Sequence, residues 1–152
     1  MVGVLLAAGG ALLYQQVTIL RIENMDRQRA IYIRISPLEK FSMFYIHSIY
    51  KEPVSEEFQA GKDAIILKGI RTKSPAVMEY YGFGDMKEFH PMNVRMGAVF
   101  IIRRGMGEGQ GLIVGDRKIY LSEIGERGDR IQLKVESMPL GKYVLSTVMK
   151  YN

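Results

Sequence analysis

The chain has 152 residues, of which 47% are hydrophobic and 24% are charged; these values are ordinary for one globular domain and exclude a disordered chain. No cysteine is present, which excludes disulfide bonds, thiolate metal sites and a cysteine nucleophile. The formal net charge is +5, but Lys and Arg never form a run of five, so the basic residues are interpreted mainly as solvated surface.

The first element is an apolar run at residues 2–13, VGVLLAAGGALL. It is shorter than the roughly 20 residues of a membrane-spanning helix, but its composition suits the hydrophobic region of a signal peptide or a signal anchor. No Lys or Arg precedes it, and a buried first strand or helix is the alternative. We therefore expect residues 1–16 to be a signal peptide or membrane anchor and residues 17–152 to form a single β domain.

Most of the remaining sequence has the alternation of apolar and polar residues that is typical of strands. Residues 17–22 and 30–35 flank a polar stretch and predict a hairpin. Further strands are predicted at residues 41–50, 54–59, 64–69, 98–103, 111–114, 118–124, 130–136 and 143–149. About nine or ten short strands with turn signals between them indicate an all-β fold, an antiparallel β-sandwich or an open barrel.

One short helix interrupts this pattern. In SPAVMEYYG, residues 74–82, Ser74 suits the N-cap, Pro75 the first helical position and Gly82 the C′ position. The stretch at residues 83–95 that follows has no clear periodicity and contains His90.

A histidine lies in the strand-like run FYIHSIYKEPVSEEF at residues 44–58. If the chain reverses through residues 50–53, four pairs of residues are directly opposed and in contact. These pairs are Ile49 with Val54, Ser48 with Ser55, His47 with Glu56, and Tyr45 with Phe58. The carboxylate would hold the imidazole in one tautomer and favour its charged form. The pair is interpreted as a structural pair that fixes the strand register, a ligand-contacting or metal-binding pair, or a catalytic dyad.

The same residues resemble a family of small bacterial and archaeal proteins that is classed as a domain of unknown function. Members read F-x-x-x-Y-x-H-S, then P-V and an acidic residue, and here the motif is carried by Phe41, Tyr45, His47, Ser48, Pro53, Val54 and Glu56. The resemblance implies an export or anchor segment, an all-β body, and genes near the permease of TAXI-type tripartite ATP-independent periplasmic (TRAP) transporters. Many members have a glycine-alanine-glycine stretch and a proline where this chain has SPAVMEYYGFG, so the role of that loop is not carried over.

Two other segments are candidates for binding. Tyr80, Tyr81 and Phe83 lie beside glycines and form a candidate interaction loop, or else a helix packed over one end of the sheet. GMGEGQG at residues 105–111 lacks the Lys-Ser/Thr ending of a phosphate-binding loop and is predicted to be a mobile hairpin loop.

The expected function is that of a non-catalytic, extracytoplasmic accessory or binding protein, linked to a TRAP-type (TAXI) transporter. Its expected partners are the permease or its solute-binding protein, with membrane contact through the N-terminal segment and without cofactor, metal or nucleic acid. The candidate ligand-binding or structural residues are Tyr45, His47, Ser48 and Glu56. The alternatives are a metal-dependent, hydrolase-like enzyme centred on His47 and Glu56, and a nucleic-acid-binding β module.

Overall fold

The computed structural model describes residues 13–62, 64–105 and 109–148. The predicted signal peptide or anchor at residues 1–16 thus lies mostly outside the described residues, and the first strand begins at Gln16. Among the residues that the structure describes, no helix has both the length and the apolar character needed to cross a membrane.

Short strands dominate the described residues. They are β1 (Gln16–Asn24), β2 (Arg29–Arg34), β3 (Lys40–Ile46), β4 (Pro53–Ala60), β5 (Ile65–Thr72), β6 (Phe89–Gly97), β7 (Val99–Arg103), β8 (Gly111–Val114), β9 (Arg117–Tyr120) and β10 (Arg130–Pro139). Two helices, α1 (Pro75–Tyr80) and α2 (Leu140–Val148), and a 3₁₀ turn at Leu121–Glu123 accompany them. The prediction of an all-β fold is confirmed, and the structure adds a second helix, α2, to the one short helix that was predicted.

The strands form two antiparallel sheets. One has four strands in the order β2-β1-β10-β7, and the other has six in the order β6-β5-β4-β3-β8-β9. The predicted hairpin is the β1–β2 pair. Within the described part of the chain neither sheet closes on itself, so the architecture is an open antiparallel β-sandwich and not a closed barrel.

The core lies between the two sheets. Along β10, Ile131, Leu133 and Val135 are buried and alternate with partly exposed neighbours, which is the pattern of a strand packed on one face. They join one cluster with Phe41 and Phe58 of the six-stranded sheet. Burying each such side chain contributes about 1.5–3 kcal/mol relative to leaving it exposed.

Helix α1 forms where the sequence predicted it. The Ser74 hydroxyl accepts the N–H of Val77 at 3.4 Å, and Pro75 occupies the first turn. Gly82 has φ +76°, the left-handed conformation of a C′ glycine, and the N–H of Phe83 donates to the carbonyl of Met78 at 2.9 Å. The buried Val77 packs against Val54 and Ile70, so the helix covers one end of the six-stranded sheet.

The predicted strand at residues 143–149 is wrong, because Leu140–Val148 form helix α2 (Met149 lies outside the described residues). Leu140 and Tyr143 are spaced by three residues and so lie on one helix face. That face packs on Val17, Ile19 and Met138, on the outer surface of the four-stranded sheet. Tertiary packing thus overrides the strand preference of the β-branched residues.

Strand β6 lies within the stretch that has no clear periodicity. Its pairing with β5 shifts register at two places, between Ile65 and Ile66 and between Leu67 and Gly69, so an alternating pattern cannot persist. It is an edge strand of the described sheet, and Pro91 is tolerated there because an edge residue need not donate to a ladder. The predicted strand at residues 118–124 ends at Tyr120 and continues as the 3₁₀ turn.

Candidate functional site

The turn after β3 is closed by two backbone hydrogen bonds. The N–H of His47 donates to the carbonyl of Glu52 at 2.8 Å, and the N–H of Lys51 donates to the carbonyl of His47 at 2.9 Å. The imidazole lies inside the turn, where Nδ1 accepts long hydrogen bonds from the N–H groups of Ile49 and Tyr50, each at 3.4 Å. Since Nδ1 is the acceptor, the ring proton of a neutral His47 belongs on Nε2.

The predicted register of the β3–β4 pair is wrong. Val54 lies opposite Tyr45 instead of Ile49, and Glu56 lies opposite Met43 instead of His47. Strand β3 ends at Ile46, so the connection covers six residues, 47–52, instead of the predicted four, 50–53. The His47 side chain accepts hydrogen bonds from N–H groups of its own turn. These bonds favour the six-residue turn over a longer β3–β4 ladder. The displacement is even, so Tyr45 and Glu56 still share one face.

Glu56 hydrogen bonds to a tyrosine instead of the histidine. The hydroxyl of Tyr45 donates to Oε1 of Glu56 at 2.7 Å, and the Tyr45 and Tyr81 hydroxyls are 2.7 Å apart. Because the hydrogen of the Tyr45 hydroxyl is used in the bond to the carboxylate, Tyr81 is the donor between the two tyrosines. Burial raises the pKa of Glu56, and the hydrogen bond from Tyr45 partly opposes this. Burial, followed by the nearby Glu56 charge, also raises the pKa of Tyr45.

Aromatic rings surround the imidazole. The His47 ring lies edge to face with Tyr80, with centroids 4.7 Å apart, and stacks on Tyr50 at 5.3 Å. Tyr81 lies farther away, at 6.2 Å. Helix α1 supplies Tyr80 at its last position and Tyr81 as its C-cap, so its packing on the sheet places both rings beside the turn. The short helix therefore joins the two segments that the sequence marks as candidate sites.

These groups border a pocket of about 640 Å³, here called the turn pocket. Its lining residues are Tyr45, Ile46, His47, Ser48, Lys51, Tyr80, Tyr81, Gly105, Gly109 and Gln110. Binding pockets for small molecules have volumes of about 300–1,000 Å³ and are mostly apolar with a few placed polar groups. The turn pocket has both properties.

The structure brings together five of the seven predicted site residues. Tyr45, His47, Ser48, Tyr80 and Tyr81 line the turn pocket. Glu56 lies behind Tyr45 and reaches the pocket only through that hydroxyl. Phe83 is also outside the lining, and it stacks between Tyr81 and His90 at centroid distances of 5.9 and 3.8 Å.

Sequence reasoning missed half of the lining. The sequence predicts Ile46 as a strand residue and Lys51 as a turn residue, and nothing in their local pattern marks either as part of a pocket. Gly105, Gly109 and Gln110 belong to the glycine-rich segment, which is not a hairpin loop, because it connects β7 of one sheet with β8 of the other. Residues 106–108 of that segment lie outside the described residues. The accumulation of four glycines was the available signal.

His90 is buried apart from the turn pocket. Its ring lies parallel to Phe83, and Nδ1 is 3.5 Å from Oδ1 of Asp85. Nε2 is buried and has no hydrogen-bond partner within residues 13–62, 64–105 and 109–148. In that part of the chain, no group of three or more His, Cys, Asp or Glu side chains is placed to hold a metal ion.

The half-buried carboxyl group of Glu56 predicts a pH dependence of stability. A raised folded-state pKa means that Glu56 favours folding most at low pH, and that this contribution is lost as the pH rises through the raised value. Glu56→Gln keeps an oxygen that can accept the Tyr45 hydroxyl and cannot ionise. We expect the variant to lose this pH dependence and to unfold at the same or a higher urea concentration than wild type above that pKa.

Urea unfolding between pH 4 and pH 9 checks this prediction, with Glu57→Gln as the control. Glu57 precedes a β-bulge on the outer face and pairs with Arg71 at 2.9 Å. A Glu56→Gln variant that loses stability equally at every pH would contradict a carboxyl group whose pKa is raised by partial burial.

Comparisons with known proteins do not test the family resemblance, which is based on the motif residues of the sequence alone. No family model, no curated protein and no solved structure matches this chain. The geometry of the turn pocket is therefore the evidence for a functional site.

Proposed function

We propose that this chain is a non-catalytic binding protein that acts outside the cytoplasm as an accessory of a TRAP-type (TAXI) solute transporter. In this proposal the N-terminal segment holds the β domain at the membrane or directs its export. The turn pocket is the binding site, and the permease or its solute-binding protein is the partner.

The turn pocket is the observation that carries the binding function. Its polar groups are fixed before any ligand arrives, since the turn closes on itself and Nδ1 of His47 is bound by backbone N–H groups. A site that is already ordered loses little conformational entropy on binding, which favours affinity. Tyr80 is 56% exposed at the rim of the pocket, and an exposed aromatic ring at the rim of a pocket is a typical anchor for a bound molecule.

A non-catalytic role agrees with the hydrogen bonding of the pocket. Nδ1 of His47 accepts backbone N–H groups and is not free to take a proton from a nucleophile. Glu56 orients the Tyr45 hydroxyl, but burial raises the pKa of that hydroxyl, so Tyr45 stays protonated and is a weak nucleophile. The transporter link is supported by the motif residues of the sequence, and the location by the apolar run at residues 2–13.

The location is tested by fusing a reporter that is active only outside the cytoplasm after Asn152. We expect activity with the full chain and none after deletion of residues 1–16. Activity of a cytoplasm-only reporter in the full chain would overturn the location, and with it the transporter link.

The binding function is tested by a pull-down from membranes in mild detergent, with the neighbouring permease and solute-binding protein co-expressed. Removing the exposed ring in Tyr80→Ala should weaken capture by about tenfold or more, the effect of losing an aromatic anchor, with little loss of stability. Tyr120→Ala, which removes a 37%-exposed tyrosine from β9, is the control and should leave capture unchanged.

The two alternatives predict other results. Stoichiometric zinc or manganese in the purified protein, lost in His47→Ala, would replace the binding proposal by the metal-dependent enzyme. Salt-sensitive binding of single-stranded oligonucleotides, without export of the reporter, would replace it by the nucleic-acid-binding module.

A further inference from the structure

The polar groups of the turn pocket that lack partners are all able to donate hydrogen bonds. Within the described residues, neither Nζ of Lys51 nor the Ser48 hydroxyl has a hydrogen-bond or ion-pair partner. Nε2 of His47 has no partner there either, and it is not among the fully buried unpaired atoms. The Tyr80 hydroxyl has no hydrogen-bond partner among the described residues either, and it can also donate. Gln110 accepts the N–H of Gly105 at 2.8 Å, and Tyr45 and Tyr81 bond to each other.

Among the described residues, the charge of the lining has one sign. Lys51 is its one charged side chain among the described residues, and no described acidic side chain lines the pocket. Glu56 lies behind Tyr45, where the Tyr45 hydroxyl occupies one of its oxygens. A pocket with a free ammonium group and unpaired N–H and O–H donors complements an anion and not a cation.

The backbone at Lys51 points to a role for its side chain. Its φ of +58° is in the left-handed region, which costs a non-glycine residue roughly 1–2 kcal/mol and glycine almost nothing. The turn therefore has a long cationic side chain at a position where the backbone conformation favours glycine. Gln28 and Leu38 share this conformation but do not line the turn pocket, so the strain supports the proposal without carrying it.

The backbone of the turn favours a carboxylate over a phosphate. Phosphate sites commonly use several free backbone N–H groups or the fork of an arginine. Here the N–H groups of Ile49 and Tyr50 point to His47, and that of Lys51 bonds to the His47 carbonyl. One lysine and one imidazole N–H match the two oxygens of a single carboxylate. Ile46 and Tyr80 supply apolar surface for the body of the molecule.

We infer that the turn pocket binds a small organic carboxylate, which Lys51 Nζ and His47 Nε2 contact and whose apolar body lies against Tyr80 and Ile46. The inference rests on the proposed binding function and gives it a ligand class. A pocket of about 640 Å³ accommodates a molecule of this kind.

The test is a titration of the purified chain, followed by NMR, with three probes of the same size: 4-methylpentanoate, 4-methylpentanamide and 4-methylpentylammonium. The carboxylate should bind at least tenfold more tightly than the amide or the ammonium compound. Its affinity should fall as the salt concentration rises, because salt screens an exposed charge pair.

Variants separate the ligand contact from a structural role. Lys51→Met removes the charge and should raise the Kd of 4-methylpentanoate at least tenfold, whereas Lys62→Met, at an exposed lysine outside the pocket, should leave it unchanged. Lys51→Gly should lose the same affinity without a lower melting temperature, since glycine suits φ +58°. His47→Asn keeps an acceptor for the turn N–H groups and removes the Nε2 donor, so it should also weaken binding.

The failures are distinguishable. If the amide binds as tightly as the carboxylate, or if Lys51→Met leaves the Kd unchanged, the inferred ligand class is wrong. In that case, loss of probe binding in Tyr80→Ala would still identify the turn pocket as the binding site. If none of the three probes binds to the wild-type chain, the carboxylate inference falls, and the pull-down decides whether the pocket binds a partner protein.

Discussion

Replacing Phe58 with alanine should lower the free energy of unfolding by about 3–5 kcal/mol, the range for truncating a buried phenylalanine. Phe58 is fully buried, and its ring contacts Phe41 and Phe100 at centroid distances of 5.3 and 5.5 Å. Phe100 belongs to the four-stranded sheet and Phe41 to the six-stranded sheet, so the ring bridges the two layers. Domain stabilities are about 5–15 kcal/mol, so the variant loses a large fraction of the total.

Urea denaturation at 25 °C measures this loss, with Phe44→Ala as a matched control. This substitution is the same chemical change on the outer face of β3. There the Phe44 ring is half-buried, and its centroid lies 5.7 Å from that of Tyr120. We expect the control to lose about 1–2 kcal/mol, because less apolar area returns to water and no internal cavity forms. Equal losses in the two variants would contradict a core centred on Phe58.

The fold could be predicted from the sequence because alternation determines which side of a strand is buried. Ile131, Leu133 and Val135 are buried as their spacing indicates, and Ser74, Pro75 and Gly82 mark the ends of α1. Helix α2 could not be predicted in this way, since it depends on an apolar patch that the outer face of the four-stranded sheet presents only after folding.

The sequence predicted most of the residues of the candidate site, but not the strand register or the hydrogen-bond partners that join them. Alternation gave the shared face of Tyr45 and Glu56, but the register depends on the length of the turn. That length depends on His47, whose side chain binds the turn N–H groups, and this preference for local hydrogen bonds leaves no periodic trace in a sequence. Lys51 was missed for a related reason, since a charged residue in a turn has the same pattern whether it faces solvent or a pocket.

A second part of the fold depends on one buried amide. Asn24, at the end of β1, is fully buried, and its Nδ2 donates to Oδ2 of Asp129 at 2.7 Å and to the Ile124 carbonyl at 3.3 Å. Its Oδ1 accepts the N–H groups of Asp26 and Arg27. The amide thus ties the β1–β2 turn to the turn before β10. Hydrogen bonds, first the one from Asn24, lower the pKa of Asp129 to about 2.

Asn24→Ala should lower the free energy of unfolding by about 2–3 kcal/mol, because the carbonyl of the buried Ile124 and the N–H groups of Asp26 and Arg27 lose their side-chain partner. Asp129 keeps the hydrogen bonds from Arg27 and Glu126. The control is Asn93→Ala, which removes an exposed amide that accepts one hydrogen bond from Lys68 at 2.8 Å and should change stability by about 0.5 kcal/mol or less. Urea unfolding at pH 7 compares the two variants. Similar small losses would show that water replaces the amide at position 24.

Asn24→Asp distinguishes the donor role of the amide from its shape. The new carboxyl group keeps the acceptor for Asp26 and Arg27 but faces Asp129, whose oxygen lies 2.7 Å from Nδ2 in the wild type. Two carboxylates at this distance repel, so the folded state holds a proton more tightly than the unfolded chain. The variant should therefore be less stable than wild type at pH 7 and recover part of the difference as the pH falls towards the ordinary carboxyl pKa of about 4. In the wild type the Asp129 carboxylate contributes in the opposite sense, since its depressed pKa stabilises the fold above its ordinary value of 3.8 and this contribution is lost as the pH falls to about 2. Glu56 is present in both proteins, so its own pH dependence cancels when the two profiles are compared. Parallel pH profiles for the two proteins would show that Asn24 stabilises the turns through packing and not through its N–H group.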